Sequence, residues 1–135
     1  MTGIEFFIPG LPRGKGRPRF GGGRVYTPKT TRDYEMAIVD CATKYTATKL
    51  DGPLHLDLLI TFPIPTSWPA EKKRLAMQGC LWHQSRPDLD NIIKIVGDAL
   101  NGVLYDDDAQ IVSVSAHKIY SQTPGITVFI KEIDL

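Results

Sequence analysis

Apolar and polar positions alternate with period two over Leu54, Leu56, Leu58, Ile60 and Phe62, with His55, Asp57 and Thr61 between them. This pattern predicts a strand with one buried face, closed by Pro63. Ile4 to Ile8 predicts a shorter strand stopped by Pro9-Gly10, and Ile111 to Tyr120 and Ile126 to Ile133 predict two more joined by a Thr123-Pro124-Gly125 turn. Elsewhere the period lengthens. Tyr34, Ile38, Cys41, Ala42 and Tyr45 recur at helical spacing behind Thr30-x-x-Asp33, which resembles a capping box, and predict a helix running to about Lys49. In a second helix, Ile92, Ile93, Ile95, Val96, Ala99 and Leu100 fall on one arc and Asp90, Asn91, Lys94, Gly97 and Asp98 on the opposite one. Pro65 to Gly79 reads as a loop holding a short helix from about Pro69. The expected fold class is α+β, in the order β-α-β-α-β-β, with helices packed on one mostly antiparallel or mixed sheet.

A chain of 135 residues suits a single domain, 1–135, able to bury a core without disulfides. It has no long apolar run and no signal-peptide pattern, so a soluble cytoplasmic protein without membrane contact is the expectation. Cys41 and Cys80 make no disulfide framework. Cys80 and His83 have a zinc-like spacing but no matching second pair.

Charge changes the picture. Arg13, Lys15, Arg17, Arg19, Arg24, Lys29 and Arg32 give the 13–32 segment a formal +7 with no acidic residue, and the rest of the chain carries a formal −6. The near-neutral total therefore hides a dipolar chain. Gly14, Gly16 and Gly21 to Gly23 make the segment read as a flexible basic loop open to close backbone approach, which suits a phosphate backbone. It is not a nucleotide-binding fingerprint, because Gly14-x-Gly16 lacks the third spaced glycine and no Gly-Lys-Ser/Thr is present. Phe20 within it could wedge into opened DNA or anchor its own loop.

Acids gather at the other end. Asp88 and Asp90 stand at the start of the second helix and Asp106-Asp107-Asp108 just beyond its end. Hard oxygen ligands of this kind suit magnesium or manganese, which keep several waters and leave positions for a substrate phosphate. Two acidic groups flanking one helix would also repel each other unless a cation joined them. Aspartate near a helix start equally serves as a cap, and Asp90 with Lys94 equally suits a surface i,i+4 pair, so the residues alone leave both readings open. His55, His83 and His117 are not at metal-ligand spacing. Trp68 and Trp82 read as packing around the short helix.

The segment Arg86-Pro87-Asp88-Leu89-Asp90-Asn91 with Lys94, then Asp98-Ala99-Leu100-Asn101-Gly102 and Asp107-Asp108-Ala109-Gln110, resembles the RusA family of Holliday junction resolvases. Gly14-Lys15-Gly16-Arg17-Pro18-Arg19-Phe20 and Val25-Tyr26-Thr27-Pro28 resemble the glycine- and arginine-rich entry of its phage and prophage members. The resemblance spans roughly residues 4 to 130. It implies a homodimeric, magnesium-dependent endonuclease, with manganese as a substitute, that nicks opposing strands of a four-way or branched DNA junction symmetrically in recombination and repair. The family's catalytic acids fall on Asp88, Asp90 and Asp108 as metal ligands, with Asp107 as the reserve ligand, and its lysine falls on Lys94. The acidic segment 86–110 is then the catalytic part. Arg13, Lys15, Arg17, Arg19, Arg24, Lys29 and Arg86 are the expected DNA contacts. Pro87 stands where some members carry a basic residue, and Arg86 is the nearest cation. Two other classes fit the same residues: a non-catalytic nucleic-acid-binding protein that uses the aspartates only as caps, and a small metal-dependent nucleotide phosphohydrolase.

Overall fold

The computed structural model describes residues 3–45 and 48–134. Its main sheet has four strands, β1 (Gly3–Pro9), β4 (Leu54–Phe62), β5 (Ile111–Tyr120) and β6 (Gly125–Glu132), in the order β1-β6-β4-β5. β6 runs antiparallel to both β1 and β4, and β5 runs parallel to β4, so the sheet is mixed and the fold is α+β as expected. The β4–β5 pair is parallel because the chain between them makes a crossover through α2 (Ala70–Met77) and α3 (Leu89–Leu100).

One face of the sheet forms the core. The register aligns Ile4, Ile130 and Leu56 in one row, Phe6, Val128 and Leu58 in the next, and Ile8, Ile126 and Ile60 in a third, and all nine side chains are buried. The period-two pattern of each strand is thus spent on a common inward face. The helix α1 (Lys29–Thr43) packs on α3 and on β1. α3 contributes Ile92, Ile95, Val96, Ala99 and Leu100 to the same core.

Several expectations need correction. β5 and β6 are joined by a turn as expected, but they do not neighbour each other in the sheet: the turn passes across the end of β4, where the Ser121 amide donates to the Phe62 carbonyl. α1 begins at Lys29 with Pro28 as N-cap, so the Thr30-x-x-Asp33 capping box does not form. Thr31 instead accepts a hydrogen bond from the Gly16 amide, and Asp33 pairs with Lys29. α1 ends at Thr43, short of the expected Lys49; residues 46 and 47 lie outside the described residues. On α3, Gly97 is buried rather than on the polar arc, because the buried Tyr105 hydroxyl donates to its carbonyl at 2.6 Å.

The basic segment is more ordered than a flexible loop. β2 (Arg19–Gly21) and β3 (Arg24–Tyr26) form a hairpin closed by Gly22-Gly23, whose φ angles of 60° and 79° supply the left-handed pair that a two-residue turn requires. Phe20 and Val25 face each other across this ribbon and are 77% and 64% exposed, so Phe20 does not anchor its own loop.

Candidate functional site

The 13–17 stretch is laid directly on the helices. Lys15 N donates to the Asn91 carbonyl of α3 at 2.9 Å, and Gly16 N donates to Thr31 Oγ1 of α1 at 3.2 Å. A Cβ at position 14 would stand 2.9 Å from Asn91 Cβ, and one at position 16 would collide with Thr31 Oγ1. The two glycines therefore permit close approach, as their spacing suggested, but the approach is to the protein's own helices.

Lys15 does not project to solvent. Its ammonium lies 2.8 Å from Glu35 on α1 and 3.3 Å from Asp98 on α3. Partial burial opposes the charge, but the hydrogen bonds and charges of Glu35 and Asp98 outweigh it and hold the pKa above the ordinary lysine value. Asp98 is also 3.6 Å from Lys94, so Lys94 turns toward Asp98 rather than toward Asp90.

The acids divide according to what their side chains already do. Asp88 is the N-cap residue of α3, yet its carboxylate makes no capping hydrogen bond. Asp90 Oδ1 accepts from the Asn91 amide. Of the triplet, Asp106 pairs with Lys49 at 3.0 Å. Asp107 caps the short 3₁₀ turn Asp108–Gln110, accepting from Ala109 N while Gln110 reaches back to the amides of Asp106 and Asp107. The Asp108 side chain has neither hydrogen bond nor ion pair among the described residues, and its charge helps burial raise the pKa of Tyr105. The capping role thus holds for Asp107 and fails for Asp88.

Two cavities collect the expected residues. A cleft of about 540 Å³ brings Asp88 together with Arg13, Lys15, Arg17 and Arg86. A smaller one of about 240 Å³ brings Lys94 and Asp98 to Asp108. Asp90 lines neither. Arg24 lines a separate cationic hollow of about 670 Å³ with Arg32, while Arg19 and Lys29 are exposed outside all three. Among the described residues no three His, Cys, Asp or Glu side chains stand close enough to cage a metal ion. The donors at the two ends of α3 are all carboxylate oxygens, a set that fits a hard divalent ion keeping most of its water.

Pattern reading missed three residues. Asp98 and Glu35 hold Lys15. Lys118 on β5 donates to the carbonyls of Ser85 and Pro87 at 2.6 and 2.7 Å and so fixes the loop that carries Asp88. Burial lowers the Lys118 pKa, against the opposing charge of Asp88. Lys118 shares the inward row of Ile60 and Ile126, and a charge at that position of an apolar strand is the only local signal that could have found it.

Among the described residues no helix is long and apolar enough to cross a membrane. The chain is 34% identical over 140 residues to the uncharacterized protein YqaN of Bacillus subtilis (strain 168), covering 98% of this chain and 99% of that protein. It is 40% identical over 53 residues to a crossover junction endodeoxyribonuclease rusA of Lactococcus phage r1t, covering 38% of this chain and 40% of that protein. The family model for endodeoxyribonuclease RusA matches residues 9–131, a span that contains the whole basic segment, the α3 acids and Asp108. With the cationic cleft and both acidic ends of α3 inside that match, the chain belongs to the RusA endodeoxyribonuclease family.

Proposed function

We propose that this protein is a structure-selective endodeoxyribonuclease that resolves four-way DNA junctions by metal-dependent phosphodiester hydrolysis, acting in the cytoplasm in recombination and repair. The observation that carries this reading is the cleft whose lining brings Asp88, with a carboxylate that makes no capping hydrogen bond, together with Arg13, Arg17 and Arg86. A phosphate drawn there by the arginines would be repelled by the Asp88 carboxylate unless a cation lay between the two anions, and that carboxylate, which makes no hydrogen bond among the described residues, is free to hold one. Asp88 and Asp90 at one end of α3 and Asp108 at the other are the proposed ligands of magnesium, with manganese as a substitute, and since no three of these acids form one cage, each ion would be held by one or two carboxylates with water completing its shell. Asp107 is the weaker candidate because its carboxylate already caps a turn. The bound ion would acidify a water and neutralise charge on the phosphate oxygens.

The chain's own groups do the positioning. Arg13, Arg17 and Arg86 hold non-bridging oxygens, and Lys118 keeps the 85–87 backbone rigid behind Asp88. Lys94, tethered by Asp98, lies beside Asp108 in the second cavity, and its proposed role is to stabilise charge that develops on a phosphate reaching that end of α3.

A homodimer supplies two such sites to a two-fold symmetric junction. β5 supports it, since it is an edge strand whose Val112 and Val114 are 65% and 42% exposed. Among the described residues only its far end is covered, by the Trp82–Ile119 bridge and the His83–Lys118 backbone bond.

The test is incubation with a four-way junction, a linear duplex and a single strand, each with and without magnesium. Paired nicks at equivalent positions of the junction, dependent on magnesium, are expected. Binding without cleavage under every condition would reduce the protein to a nucleic-acid-binding module.

A further inference from the structure

Beyond the ridge formed by Leu11-Pro12 and Arg86-Pro87, which also walls the Asp88 cleft, lies a separate cavity of about 340 Å³. Its walls are aromatic. Trp68 meets Tyr120 edge to face at 5.1 Å, His83 stacks on Phe62 at 3.6 Å, and His83 tilts against Tyr120 at 5.4 Å. Trp68 and Tyr120 are each partly exposed.

We propose that this cavity receives a single unstacked nucleobase from the strand whose phosphate lies in the Asp88 cleft. The inference deepens the nuclease reading and rests on it for the position of the phosphate. Size favours the assignment: about 340 Å³ is at the small end of the ligand-pocket range, room for one nucleotide and not for a duplex. Surface chemistry agrees, because base–aromatic stacking needs a π face and tolerates any base. Charge agrees as well. Arg86 lines both cavities, so a strand passing from one to the other meets its guanidinium; Lys72 Nζ, 3.9 Å from the centre of the Trp68 ring, lies over one face of that ring and must shift for a base stacked on that face.

The consequence is selectivity. Extracting a base from intact duplex is unfavourable, and least so where the base is already unpaired. A branch point offers such a base. A site that must seat a base before the neighbouring phosphate reaches Asp88 would therefore favour branched over linear DNA.

The experiment uses the full chain with Trp82→Phe, which leaves Trp68 as the sole tryptophan. Its emission is followed without metal while a short single strand, or an abasic strand of equal length, is added. Saturable quenching by the base-bearing strand, with much weaker binding of the abasic one, is expected. In the otherwise wild-type chain, Trp68→Ala should weaken single-strand affinity about 5- to 150-fold, the range for one lost stack, and Trp68→Phe should restore most of it. Circular dichroism matching wild type excludes misfolding of either variant. Equal binding of the abasic strand, or an unchanged affinity in Trp68→Ala, overturns the proposal. So does quenching by a proline-rich peptide in preference to DNA. Base-dependent quenching in a protein that never cuts a junction would sustain the pocket and remove the nuclease reading; junction cleavage with no base-dependent quenching would do the reverse.

Discussion

The Nζ of Lys15 lies 3.3 Å from Oδ2 of Asp98, and the same carboxylate stands 3.6 Å from the Nζ of Lys94. One acid is therefore shared between the basic segment and the lysine that lines a cavity with Asp108. With Glu35 completing the cluster from α1, Lys15 fastens the segment to both helices. Its ion pairs are about four-fifths buried at the lysine, so they are screened less than surface pairs. Lys15→Met and Asp98→Asn should couple by about 0.5–1 kcal/mol in a double-mutant cycle read by urea unfolding. Additive effects would mean that the pair contributes nothing to the fold.

The same geometry separates Lys15 from its basic neighbours. Arg13, Arg17, Arg19 and Arg24 are exposed and make no ion pair among the described residues. Alanine at each of them that touches a phosphate should flatten the dependence of log affinity on log salt by about 0.9 for duplex-like arms. Lys15→Met should leave that slope unchanged while lowering stability. A flattening in Lys15→Met equal to that in Arg17→Ala would show that the lysine leaves its acids to meet DNA.

How much of this was legible follows from the range of each interaction. The inward faces of β1, β4 and β6 were readable because period-two alternation is local, and α3 because its apolar arc repeats within one helix. The Lys15–Glu35 contact spans 20 residues and Lys118–Pro87 spans 31, distances at which composition says nothing about pairing. The parallel pairing of β5 with β4 was hidden for the same reason, since the Thr123-Pro124-Gly125 turn signal is identical whether the next strand pairs with its predecessor or crosses over another. The hairpin from Arg19 to Tyr26 was masked by its own glycines: Gly22-Gly23 marks a tight turn as well as a flexible loop, and two three-residue strands are too short to show alternation. The acids at both ends of α3 were visible, but which of Asp106, Asp107 and Asp108 keeps an uncommitted carboxylate depends on Lys49 and on the amides of the 3₁₀ turn.

That division of the triplet predicts opposite phenotypes for adjacent residues. Asp107→Ala removes a cap and should lower stability by about 0.5–1 kcal/mol while leaving junction cleavage largely intact. Asp108→Ala, which breaks no hydrogen bond of the described structure, should preserve stability and abolish cleavage. Unfolding curves and cleavage rates measured on the two variants side by side decide the matter. If Asp107→Ala abolished cleavage and Asp108→Ala did not, the metal assignment would pass to Asp107.

His83 predicts a pH dependence of folding. Its ring is stacked on Phe62, its Nδ1 is enclosed without a hydrogen-bond partner among the described residues, and burial followed by the charge of Lys118 lowers its pKa below 6.5. In the unfolded chain the imidazole titrates near its ordinary value of about 6.5. As pH falls through that value, the unfolded state takes up a proton that the folded state refuses, so stability declines until the folded pKa is reached and is level beyond it. The contribution is therefore fully present above about pH 6.5 and is lost on the acid side. His83→Phe retains a ring against Phe62 and has nothing to protonate. The difference in unfolding free energy between wild type and His83→Phe should be constant above neutrality and shift against wild type as the pH drops below about 6.5, with the carboxylates common to both proteins cancelling. A difference that stays flat down to pH values well below 6.5 would show that the imidazole is protonated as readily in the folded protein as in the unfolded chain.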